Sequence, residues 1–221
     1  MQNEPTSFPA YPASIRCLND AMRFAASRET FEIHPALLYE PDREAQSVYF
    51  VALRGTDQSF DKTDVLGIHA CLLAFCAKTN IYFELVKKTM LETIPAGEAV
   101  VLTGHSLGGM IAQQITADEE LKKTYRFLNL LNIGSPYVPV KGRECPFRRF
   151  AERADIIPWL GFSLRANLVT EKPVFKYNGY LGKPVAAHTD AYRESDSWRP
   201  YDAFGILNGG RVLVLTDVTE E

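Results

Sequence analysis

Short, continuous apolar runs separated by stretches of helical period set the pattern of this chain. Residues 99–103, Ala-Val-Val-Leu-Thr, form a run too short for a helix; Gly104 closes it and a helical pattern follows through Ala117. Residues 47–53 are β-branched and aromatic and are bounded by Arg54-Gly55-Thr56-Asp57, which predicts a buried strand ending in a sharp turn. Further strands are predicted at 127–133, ending at Gly134-Ser135-Pro136, at 147–152, ending just before Asp155, at 174–177, and at 211–215. Pro5, Pro9 and Pro12 keep the first dozen residues extended, after which Ile15, Leu18, Met22 and Ala25 or Ala26 recur at helical spacing. A second helical stretch is predicted over 67–93, while 158–187 is punctuated by Gly161, Gly179 and Gly182 and gives little beyond the strand at 174–177. Strands alternating with helices, with no tight hairpin signal between them, predict an α/β fold with a mostly parallel central sheet flanked by helices. No linker divides the 221 residues, so one domain is expected, with 1–14 extended or flexible.

Composition narrows the classes. The 24 basic and 27 acidic residues give a net charge of −3, which removes any broad electrostatic footprint for nucleic acid. The cluster Arg148, Arg149 and Arg153 is expected on a solvated strand edge. The longest wholly apolar run, 70–77, stops at Lys78, far short of a membrane span, so membrane contact is expected to be peripheral at most. The polar, Pro-rich start shows no signal-peptide pattern, which gives a cytoplasmic expectation without excluding signal-less export. Cys17, Cys71, Cys76 and Cys145 lack metal-site spacing and are expected as buried thiols.

The chemistry concentrates in Gly104-His105-Ser106-Leu107-Gly108, a G-x-S-x-G elbow lying between a predicted strand and a predicted helix. Two glycines let the chain turn tightly enough for the serine hydroxyl to stand above the sheet. The helix N-terminus beside Ser106 favours a developing oxyanion. A serine of this kind needs a histidine base, and in the α/β-hydrolase order serine, acid, histidine, only His188 follows Ser106. His105 is expected to point under the sheet, away from Ser106, as a packed ring. His34, in a predicted loop before Pro35, and His69 are expected in structural or surface roles. Among the intervening acids, Asp118, Glu119, Glu120 and Glu144 fall at the wrong sheet edge, and Glu171 is not placed. Glu152 lies within its strand, whereas Asp155 lies in the turn beyond it, where it can reach the imidazole. The candidate triad is therefore Ser106, Asp155 and His188. The oxyanion donors are expected from the Leu107 backbone N–H and from Thr56, with Gly55 permitting the turn.

Together these segments resemble the class 3 lipase family. Leu53-Arg54-Gly55-Thr56 is similar to its oxyanion strand, and Val101 to Gly109 to its elbow. Ile133-Gly134-Ser135-Pro136, Ala154-Asp155-Ile156-Ile157-Pro158, and His188 with Tyr192 are similar to its later motifs. The resemblance spans roughly 50–192 and implies the same triad and oxyanion residues. It implies a serine hydrolase acting on carboxylic esters of lipids, acylglycerol or phospholipid, or on smaller esters, with neither metal nor cofactor. An acyltransferase, a thioesterase or a catalytically silent interaction protein remains open on the same fold. The segment 57–66, where family members carry a lid, is short and charged, which predicts weak interfacial activation. Trp159, Leu160, Phe162 and Leu164 are candidates for an acyl pocket.

Overall fold

The computed structural model describes residues 14–27, 29–56, 73–74, 76–160 and 172–216. Eight strands form one sheet: β1 Ser14–Ile15, β2 Phe31–Tyr39, β3 Gln46–Leu53, β4 Ala99–His105, β5 Arg126–Ile133, β6 Phe147–Glu152, β7 Val174–Lys176 and β8 Val212–Leu215. Their spatial order is β1-β8-β2-β3-β4-β5-β6-β7. From β3 to β7 every pairing is parallel, whereas β1, β8, β2 and β3 pair antiparallel. The described helices are α1 Leu18–Ala25, α2 Ile81–Thr93, α3 Leu107–Ile115, α4 Glu119–Thr124, α5 Pro184–His188 and α6 Asp190–Glu194. The result is an α/β-hydrolase-type sheet in which a strand leads through an elbow into a helix at the sheet's C-terminal edge.

The apolar β4 run has a simple cause, since a strand covered on both faces needs no polar alternation. Ala99 and Val101 enter one core with Met22, Phe50, Phe150 and Trp198, while Val100 and Leu102 enter the other with Tyr82, Met90, Ile111 and Leu130. Helix α3 lies against the second face, where Ile111, Ala112 and Ile115 are buried.

Several expectations change at the local level. Strand β2 was not expected, because Pro35 interrupts an otherwise strand-like run. The Thr216 N–H donates to the Pro35 carbonyl at 3.1 Å, so Pro35 turns its hydrogen-bonding side toward β8. Pairing of β2 with β8 begins only at Ala36, so the missing Pro35 N–H costs no ladder bond to β3. His34 accordingly sits in a strand and not a loop, with Nε2 2.7 Å from Glu32 on the same strand face. Ile15 belongs to β1 and pairs with Leu213, so the first helix begins only at Leu18. Within the expected helix over 67–93, the described Leu73 and Ala74 are helical, the chain then breaks over 76–80, and α2 starts at Ile81. Ala77 has a left-handed φ of 55°, and the Asn80 side chain caps α2 by accepting from the Tyr82 and Phe83 N–H groups. Residues 67–72, with His69 and Cys71, lie outside the described residues.

Arg149 is buried and not on a solvated edge, because β6 packs beneath the segment that leaves β5. Its Nη2 donates to the Ser135 carbonyl at 3.3 Å, and Arg148 and Arg153 alone are exposed. The thiols also differ from expectation, since Cys17 and Cys145 are half-buried and Cys76 is exposed.

Candidate active site

The elbow is the most strained point of the backbone between β4 and α3. Ser106 has φ 53° and ψ −120°, a conformation that a non-glycine residue adopts only when its surroundings enforce it. The enforcement is visible in the flanking glycines. A Cβ on Gly104 would lie 2.6 Å from the Gly108 backbone, and one on Gly108 would lie 2.2 Å from the Leu53 carbonyl oxygen. Strand β3, the elbow and the first turn of α3 therefore meet at separations that only glycine permits.

Ser106 faces His188 at the end of α5, with Oγ 2.9 Å from Nε2. On the other side of the ring, Nδ1 lies 2.9 Å from Asp155 Oδ2. A carboxylate only accepts, so Nδ1 carries the proton and Nε2 is left to accept from the serine hydroxyl. Asp155 is fully buried in the turn after β6, and its Oδ1 accepts from the Ile157 N–H at 2.9 Å. Each of the three residues expected as a triad thus lies within hydrogen-bond reach of the next. Glu152 takes no part in this chain. Its buried carboxylate accepts from the Asn178 backbone and side chain, at 3.1 and 2.7 Å, and pins the chain leaving β7.

Two further residues at the site had been given no role in it from the sequence, Tyr192 being seen only beside His188 in a motif and His105 only as a packed ring. Tyr192 on α6 is buried and donates its hydroxyl hydrogen to Asp155 Oδ2 at 2.7 Å, while its oxygen accepts from the Glu152 N–H at 2.9 Å. Burial, then the Asp155 charge, holds its phenol well above the ordinary range, so the hydroxyl keeps its proton. His105 does not point away under the sheet. Its Nε2 lies 2.7 Å from the His188 carbonyl oxygen and its ring centroid 4.6 Å from that of His188. Strand alternation fails as a guide there because Ser106 has left extended geometry. The carbonyl can only accept, so His105 Nε2 carries a proton. Burial, together with the nearby His188, holds its pKa well below the ordinary histidine value, and the ring is neutral.

The loop after β3 passes against the elbow, since a Cβ on Gly55 would lie 2.9 Å from Ser106 Cβ. Thr56 and Gly55 line the same cavity as Ser106 and His188, a cleft of about 260 Å³ whose apolar walls come from Ile156, Ile157, Pro184 and Val185. The Leu107 N–H opens α3 and has no acceptor within its own helix. Trp159 and Leu160 lie outside that lining. Trp159 stacks on Phe175 at 4.6 Å between ring centroids, and both Trp159 and Leu160 are exposed. Phe162, Leu164, Glu171 and the charged segment 57–66 lie outside the described residues.

No family model matches this chain, and no curated protein matches it. Among solved structures, that of Lip2 lipase from Yarrowia lipolytica is similar over 93% of this chain and 88% of that one, with 12% identity and a TM-score of 0.38.

Proposed function

We propose that the protein is a serine hydrolase that cleaves carboxylic esters through an acyl-enzyme on Ser106. The observation that carries this reading is the unbroken chain from Ser106 Oγ through the His188 ring to Asp155, with 2.9 Å at each link, opening on an apolar-walled cleft. The resemblance of the elbow and aspartate segments to class 3 lipases supports it.

In this reading His188 Nε2 takes the Ser106 proton as Oγ attacks the ester carbonyl, and Asp155 stabilises the imidazolium that forms. The oxyanion of the tetrahedral intermediate is met by the Leu107 N–H and by Thr56. His188 then returns its proton to the leaving alcohol, and a water activated by the same ring releases the acid. Every proton in the cycle moves through one nitrogen, so neither metal nor cofactor is required. The cleft walls, Ile156, Ile157, Pro184 and Val185, suit an aliphatic acyl or alkyl group. The exposed Ile156, Trp159, Leu160 and Val185 favour esters of lipids, acylglycerol or phospholipid, over polar ones, with peripheral contact at a lipid surface.

A fluorophosphonate probe tests the proposal. Covalent labelling of the wild type and none of Ser106→Ala is expected. Equal labelling of the two proteins, or of neither, would sink it.

A further inference from the structure

The Asp155 carboxylate is shared unequally between its partners. Oδ1 takes one backbone N–H from Ile157, while Oδ2 takes both His188 Nδ1 at 2.9 Å and the Tyr192 hydroxyl at 2.7 Å. The phenol and the imidazole therefore compete for one oxygen. Much local structure serves this contact. Gly134 leaves β5 at φ +57°, and a Cβ there would lie 2.9 Å from the Tyr192 ring and 3.1 Å from Asp155 Oδ2. Asn19 on α1 is buried, and its Nδ2 lies 3.2 Å from the Tyr192 carbonyl, 3.2 Å from that of Arg193 and 3.1 Å from that of Ser195, which ties down the end of α6. The Tyr192 ring also stacks on the buried Trp198, with centroids 5.8 Å apart. The hydroxyl has no freedom to turn elsewhere, because its own oxygen is held by the Glu152 N–H.

We propose that Tyr192 is a positioning residue that tunes the basicity of His188 by drawing charge from Asp155 Oδ2. This inference rests on the hydrolase reading above. A hydroxyl donating to a carboxylate spreads its negative charge and weakens its hold on the imidazolium, so Tyr192 keeps His188 unprotonated to lower pH. The groups that face this cluster are few. Asp155 and Glu152 come from the end of β6, and neutral His105 comes from β4. Helix α6 adds Tyr192, the Arg193 charge that acts on His105, and Asp190 and Glu194, whose charges bear on the half-buried Tyr180. Of these, Tyr192 alone donates to the same carboxylate oxygen as the imidazole.

The test is the pH dependence of the second-order rate of Ser106 labelling by a fluorophosphonate, measured from pH 5 to 9. Three proteins are compared: wild type, Tyr192→Phe, and a protein with 3-fluorotyrosine at position 192. Loss of the hydroxyl should move the acid limb up by about 0.5–1 pH unit, an added loss of about three- to tenfold in rate below the limb. The fluorinated phenol is the more acidic donor and should move the limb down. A purely structural Tyr192 would lower the plateau in Tyr192→Phe and leave both limbs where they are, which overturns the proposal. A downward shift in Tyr192→Phe also overturns it. Should Tyr192→Phe not fold, the nearly isosteric fluorotyrosine protein decides alone: a downward shift supports the proposal, and an unmoved or raised limb refutes it. Absence of wild-type labelling at every pH would instead refute the hydrolase reading and remove the basis of this one, whereas labelling with unshifted limbs refutes this one only.

Discussion

Gly108→Ala probes the packing that builds the elbow. The added Cβ would stand 2.2 Å from the Leu53 carbonyl oxygen and 2.5 Å from that of Arg54. An ordinary carbon-to-oxygen contact is about 3.3 Å, so the end of β3 and the first turn of α3 must part by roughly 1 Å. Both clashing atoms are backbone, and no rotamer change relieves them. Overpacking of this kind costs about 1–3 kcal/mol or more, while alanine in place of glycine within a helix returns up to about 1 kcal/mol. The net loss is about 2 kcal/mol, which for a chain of this size lowers Tm by about 4–8 °C. Because Arg54 leads directly into Gly55 and Thr56, the same displacement moves one proposed oxyanion donor away from Ser106, so the labelling rate should fall along with stability. Thermal unfolding followed by circular dichroism reads the first effect and fluorophosphonate kinetics the second. A variant as stable as the wild type, or more stable, would show that β3 and the elbow do not approach as described.

Replacing Asp155 by Asn keeps the shape but removes the charge that orients and stabilises protonated His188; ester hydrolysis should fall by about 10³–10⁴-fold, and a loss under tenfold would deny Asp155 its role. His105 is held neutral in the fold but binds a proton once unfolded. Stability should therefore be lost as pH falls below the ordinary histidine value of about 6.5, by at most about 1.4 kcal/mol per pH unit. In His105→Gln that slope between pH 6.5 and 5 should flatten, and an unchanged slope in urea melts would contradict the burial argument. Ile156 is 61% exposed at the cleft wall, so Ile156→Ser should raise KM for a long-chain ester several-fold more than for an acetate ester. Equal changes for both esters would remove Ile156 from the substrate path.

The centre of the parallel half was legible in the sequence because β3, β4 and β5 are largely buried on both faces and read as mostly apolar runs. Strand β6 was found at its observed bounds, and β3 and β5 differ from expectation by a single residue at the start. The antiparallel half was legible only at β8, expected over 211–215 and observed at Val212–Leu215. Strand β2 hides behind Pro35, and nothing in the sequence tells that the proline turns toward the side where pairing with β8 stops. Helix α2 was read as continuous with the helical residues before it because helical periodicity carries no record of the left-handed Ala77 and the Asn80 cap. At the site, Ser106, Asp155 and His188 could be picked out by order along the chain and by sheet edge, since both follow from the α/β connection rules. Tyr192 and His105 act through others, one on a carboxylate 37 residues away and one on a carbonyl 83 residues away, and no local pattern encodes such a partner. Tyr192 was visible four positions after His188 only as part of a motif, without its function.

In the proposed reaction a covalent acyl group passes through Ser106. Rapid acid quench of the protein with a 4-nitrophenyl ester, followed by peptide mass mapping, measures this directly. One acyl mass on the peptide containing Ser106 is predicted in the wild type, with none in Ser106→Ala. Ester turnover without that adduct, or with the acyl group on another residue, would contradict the account.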